Sequence, residues 1–125
     1  MNVSRNFLFI GTIYIVVGMI LGSYMGGYDD RTLAPLHAHI NLLGFVLPAL
    51  FSLCYKVFPK LAEGGLARIH FWMHEVGILI LLFALFLMLS GRVAATTIGP
   101  VMPIAELLII VGTVLFAWNV YKNVD

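Results

Sequence analysis

Charge is what this chain has least of. Asp, Glu, Lys and Arg make up 10% of its 125 residues, where soluble domains carry roughly a quarter. Those charges fall mainly between long apolar runs, which excludes a solvated globular domain. The formal net charge is +1, so no basic surface suggests a nucleic acid partner. Cysteine is nearly absent. Cys54 stands alone in an apolar run, with no partner for an intramolecular disulfide and no metal-ligand spacing around it. It reads as a small core residue. No linker, low-complexity tract or second domain interrupts the chain.

What is present is apolar: 62% of the residues are hydrophobic and the mean hydropathy is +1.03. A membrane-spanning helix needs about 20 apolar residues. Four runs qualify, at about 7–25, 34–58, 69–89 and 98–121. They predict an all-α membrane protein, one four-helix transmembrane domain over residues 1–125, assembling as a homo-oligomeric helical bundle in the lipid bilayer. The first run follows Arg5 as a signal peptide would. It is long for one and lacks an Ala-x-Ala site, so it reads as a retained helix. Arg5, Lys56, Lys60, Arg68 and Lys122 fall on one side, and Arg31 and Arg92 on the other. Five against two places both termini in the cytoplasm, in a multi-pass protein of the inner (cytoplasmic) membrane.

Gly18, Gly22 and Gly26 repeat every four residues, and Gly77, Ala84 and Gly91 every seven. Such small-residue faces bring helices close together, within the bundle or between copies. Pro100 and Pro103 lie in or near the first turn of the fourth helix, where a missing donor costs least.

Ionisable groups inside a span cost about 2.5–3.5 kcal/mol each at the centre, and so are functional candidates. The spans hold His37, His39, His70, His74, Glu75 and Glu106. Residues two apart on a helix point about 200° apart, so His37 and His39 face opposite sides and cannot share one small ion. Each can serve a different site. A neutral imidazole is a good ligand for haem iron, and Gly44 beyond the pair offers a flat surface. His70 and His74, four apart, share one face. The zinc-protease pattern is absent, because the glutamate follows the second histidine. His70 is expected at the membrane interface, bonding loop carbonyls, and His74 deeper. At 1.5 Å per residue His39 and His74 differ by roughly 20 Å in depth. Axial haem ligands are only about 4 Å apart, so a second ligand near His39 must come from another copy or be absent. Glu106 is expected to face the bundle or to relay a proton.

The ordered set His37-Ala-His39, Phe58-Pro59, Ile69-His70-Phe71 and Gly77 resembles the C-terminal part of subunit I of the haem–copper oxidases. The resemblance covers Pro35 to Leu89. His37-Ala-His39 followed by Gly44-Phe45 also resembles membrane proteins linked to nitric oxide tolerance. Both resemblances point to haem. The first implies that His37 ligates a high-spin haem and His39 a low-spin haem. It also implies that Arg92, with Arg31 as a second candidate, holds haem propionates. The family's copper-binding histidines and cross-linked tyrosine have no counterpart here, and its twelve helices compare with four.

The expected function is therefore b-type haem binding for electron transfer or for binding oxygen or nitric oxide. One or more haems would be shared between copies. A trimer could pair His37 of one copy with His39 of the next. A dimer could pair His39 with His39. If enzymatic, the protein would be an oxidoreductase, with an unidentified redox partner. The alternatives are a haem carrier or oxidase assembly partner, and a small proton-linked transporter or channel using Glu106, His70 and His74.

Overall fold

The computed structural model describes residues 1–124. Four helices are long and apolar enough to cross a membrane: α1 (Val3–Tyr28), α2 (Ala34–Val57), α3 (Leu66–Leu89) and α4 (Val101–Asn123). No strand occurs among the described residues. The chain is thus an all-helical, multi-pass membrane protein. The shortest helix, with 23 residues, is about 34 Å long at 1.5 Å per residue, more than a hydrocarbon core of about 30 Å. The helices pass the apolar runs at several ends. In α1, polar Ser4, Arg5 and Asn6 end the hydropathy signal without ending the helix.

Local chemistry sets the boundaries. The Asn2 side chain caps α1 by accepting from the Arg5 N–H at 2.9 Å. Asp29, at φ 49°, turns the chain out of α1 in a left-handed cap. Pro35 sits in the first turn of α2, and Phe58, pushed out of the helical region at φ −115° and ψ 81° before Pro59, ends it. A short 3-10 turn, Pro59–Ala62, leads to α3. Gly91, at φ 70°, follows α3, and a short helix, Ala95–Ile98, precedes α4.

The helices pack as two antiparallel hairpins, α1 with α2 and α3 with α4. Both chain termini lie at one end, here the terminal end. The far end carries the α1–α2 and α3–α4 loops. Ser4 and Ser52 clamp the first hairpin reciprocally: Ser4 Oγ donates to the Ser52 carbonyl at 3.0 Å and Ser52 Oγ to the Ser4 carbonyl at 2.8 Å. Gly77 sits against Ile109 and the Ala105 carbonyl in the second hairpin. The hairpins join through a terminal-end core of Val3, Phe7, Phe51, Tyr55, Leu61, Ala67 and Phe71.

α2 is not uniformly α-helical. Ile40–Val46 is π-helical, and the Leu47 N–H donates to the Leu42 carbonyl, five residues back. Pro48 supplies the reason. It has no N–H, and Leu47 is already spent on Leu42. The Leu43 carbonyl thereby loses both its α and its π donor within the helix.

Candidate functional site

The far-end histidines diverge. His37 turns into the α1–α2 seam. Its Nδ1–H donates to the Gly18 carbonyl at 2.9 Å, and its Nε2 accepts from Asn41 Nδ2 at 3.1 Å. A carbonyl can only accept, which fixes that tautomer. Glycines make the room: a Cβ on Gly22 would lie 2.9 Å from His37 Cε1, and one on Gly18 would overlap Asn41 Oδ1. The small-residue face of α1 thus packs within the chain at Gly18 and Gly22. Gly26 meets nothing within 4 Å.

His39 turns the other way and is half-buried. Its Nδ1–H donates to the Pro35 carbonyl, one turn back, at 2.7 Å. That bond places the ring's lone pair on Nε2. A histidine whose Nδ1–H is anchored to a carbonyl is the usual form of a metal-ligating imidazole.

Arg31 lines a cavity of about 290 Å³ with Asp29, Gly22 and His37. Arg92 is exposed, with its guanidinium carbon 5.7 Å from the Phe86 ring centre. Gly44 is no flat surface for a ligand, because Tyr14 occupies it: a Cβ there would lie 2.8 Å from Tyr14 Cγ. Glu106 does not face the bundle. The inward residues of α4 are Ala105, Ile109, Gly112 and Asn119, and one step of about 100° from Ala105 carries Glu106 outward.

A second polar cluster lies deep in the bundle. His70 bonds no loop carbonyl and is enclosed by protein: it is 0% exposed, as is His74, and Glu75 is 5% exposed. The 3-10 turn folds beneath the terminal end, Leu61 is fully buried there, and Asn119 Nδ2 donates to its carbonyl at 2.8 Å. His70 Nδ1 lies 2.9 Å from the Tyr55 hydroxyl. His74 Nε2–H donates to the Leu43 carbonyl at 3.2 Å, the one that Pro48 leaves free. Phe7 and Phe51 contact both imidazoles, and Phe116 contacts His70. Four side-chain atoms of this cluster have no protein partner: His70 Nε2, His74 Nδ1 and both Glu75 oxygens.

The bond to Leu43 brings His74 Nε2 within two helical turns of His39 along α2, nearer than the spacing estimate. The long side chain and the start of α3 at Leu66 account for the difference. Sequence spacing alone singles out neither Asn41 nor Tyr55. Asn41 was within reach of it, four residues after His37 on the same helical face. Tyr55 meets His70 only through the tertiary fold. No group of three or more His, Cys, Asp or Glu side chains among the described residues is arranged to hold a metal ion.

No family model, curated protein or solved structure matches the chain.

Proposed function

We propose that this protein binds b-type haem between copies, with His39 of each copy as an axial ligand, and serves electron transfer or diatomic-gas binding. The observation that carries the reading is His39 itself. Its Nδ1–H is tied to Pro35 at 2.7 Å, so Nε2 presents a lone pair. His37 fits less well, because both its nitrogens are hydrogen-bonded inside the chain. This favours a two-fold pair of His39 residues over a ring that uses both histidines. The ordered motifs shared with oxidase subunit I support the same cofactor. Arg31 and Arg92, at the same far end, suit propionates through their planar forks. Bound haem would supply a one-electron couple, or a gas site where one axial position stays open. Assembly is also favoured by Glu106, exposed on a span, where lipid contact costs about 2.5–3.5 kcal/mol at the centre and a partner surface relieves it. The basic residues at the terminal end favour a cytoplasmic location for both termini in the inner membrane.

The test is the absorption spectrum of detergent-purified protein, oxidised and reduced, with and without carbon monoxide. His39→Ala is expected to lose the haem and His37→Ala to keep it. Insensitivity to carbon monoxide would mean two protein ligands, and a shifted spectrum an open position. Loss in both variants would restore the ring. Absence of haem after reconstitution would leave the carrier, assembly and transport readings.

A further inference from the structure

The buried cluster on α3 is not needed for the proposed haem ligation, yet it gathers polar groups whose hydrogen-bonding capacity the protein leaves unmet. It begins at the aqueous surface. At the terminal end a cavity of about 510 Å³ is lined by Asn2, Ser4, Lys56 and Tyr55 among others. Tyr55 lines it, and the Tyr55 hydroxyl bonds His70 Nδ1 at 2.9 Å. With the Tyr55 hydroxyl as the donor, His70 Nδ1 is the acceptor. His70 then carries its own hydrogen on Nε2. His74 is fixed in the complementary state, because its Nε2–H donates to Leu43 and Nδ1 keeps the lone pair. One imidazole thus presents an unsatisfied donor and the next an unsatisfied acceptor. Their ring centres are 6.1 Å apart, a span that one water molecule bridges. Glu75 follows directly, 5% exposed, with neither oxygen bonded to the protein. Unpaired charge is too costly in such a place, so the carboxyl sits there as the neutral acid.

We propose that Tyr55, His70, His74 and Glu75 form a proton relay that exchanges the proton of Glu75 with the aqueous cavity at the terminal end. Inward, Tyr55 passes its proton to His70 Nδ1 and takes another from the cavity. His70 releases its Nε2 proton, through the bridging water, to His74 Nδ1. From His74 the proton passes to a carboxylate of Glu75, the next residue on α3. Each imidazole gains one proton and loses one, and the net result is one proton moved from cavity to carboxyl. The reverse sequence empties Glu75. Packed against the two imidazoles are Phe7 from α1, Phe51 and Tyr55 from α2, and Phe116 from α4, and Tyr14 of α1 is the titratable group near Glu75. The relay is independent of the haem reading.

Infrared spectroscopy of the lipid-reconstituted protein in a flow cell tests it without haem. At neutral pH a protonated-carboxyl C=O band is expected in the wild type, missing in Glu75→Gln and kept in Glu106→Gln. On a switch to D2O the band should shift down rapidly. In Tyr55→Phe the band should persist but shift at least tenfold more slowly, and His70→Phe should do the same by a separate lesion. The proposal is overturned if Glu75→Gln leaves the band unchanged. It is equally overturned if both relay variants exchange at the wild-type rate.

Discussion

His37 and His39 are two residues apart and end in different hydrogen-bonding states because of what each meets. His37 faces α1 where Gly18 and Gly22 leave room for an imidazole. His39 faces away from that seam, and its one bond is to its own helix. Gly22→Ala tests how tightly the first is held. The new methyl would stand 2.9 Å from His37 Cε1, and overpacking of this kind costs about 1–3 kcal/mol. Unfolding in mixed micelles should show that loss, and under the proposed ligation by His39 any haem spectrum should stay unchanged. A different residue governs the far-end turn. Thr32 donates to Asp30 Oδ1 through its hydroxyl and its backbone N–H, which holds the Asp30 carboxyl below its ordinary 3.8. The turn gains from this above the unfolded value and loses the gain as pH falls through the lower folded value. The Thr32 amide resonance should titrate with a midpoint below 3.8; a midpoint at or above it would sink the assignment.

At the scale of the element, α2 is the informative helix. Proline inside a helix removes a donor and clashes with the preceding turn, at about 3 kcal/mol. Here the chain answers with a π-helical segment, and the Leu43 carbonyl goes to His74. Pro48→Ala restores an N–H beside Leu43 and Gly44. The segment should relax toward α geometry and the new donor should compete with His74. Faster hydrogen exchange at His74 Nε2, seen by nitrogen NMR, is the expected outcome; unchanged protection would show that Pro48 does not set the bond. The four spans were legible in the sequence because about 20 apolar residues in a row leave few alternatives. Their facing was not. α4 is apolar nearly all round, so nothing in its pattern told that Ala105 turns inward and Glu106 outward. From the sequence His70 reads as interfacial because it lies early in its helix. Only the 3-10 turn folded beneath it, tied down by Asn119, makes that position an interior one. Pro48 was the available signal for the π segment, and its consequence for His74 needed the position of α3.

For the whole molecule the question is what holds two hairpins together where lipid tails are as apolar as the helices themselves. Without a hydrophobic drive, close packing and hydrogen bonds must do it. Phe7 is the point where the hairpins meet. From α1 it contacts Phe51 and Tyr55 on α2, and His70, Phe71 and His74 on α3. It is 0% exposed. Phe7→Ala would open a cavity against both hairpins and the relay at once. Truncations of this kind cost about 3–5 kcal/mol, a large share of the roughly 5–15 kcal/mol that holds a typical domain. Trp72 on α3 and Trp118 on α4 report on the second hairpin by fluorescence. Phe7→Ala should lower the unfolding midpoint steeply, while Phe9→Ala, 67% exposed on the same helix, should leave it nearly unchanged. Equal effects from the two would mean that the hairpins are held elsewhere, by the His74–Leu43 bond or by contacts between copies. That outcome would make the oligomer, rather than the single chain, the unit that keeps His39 and the α3 cluster in place.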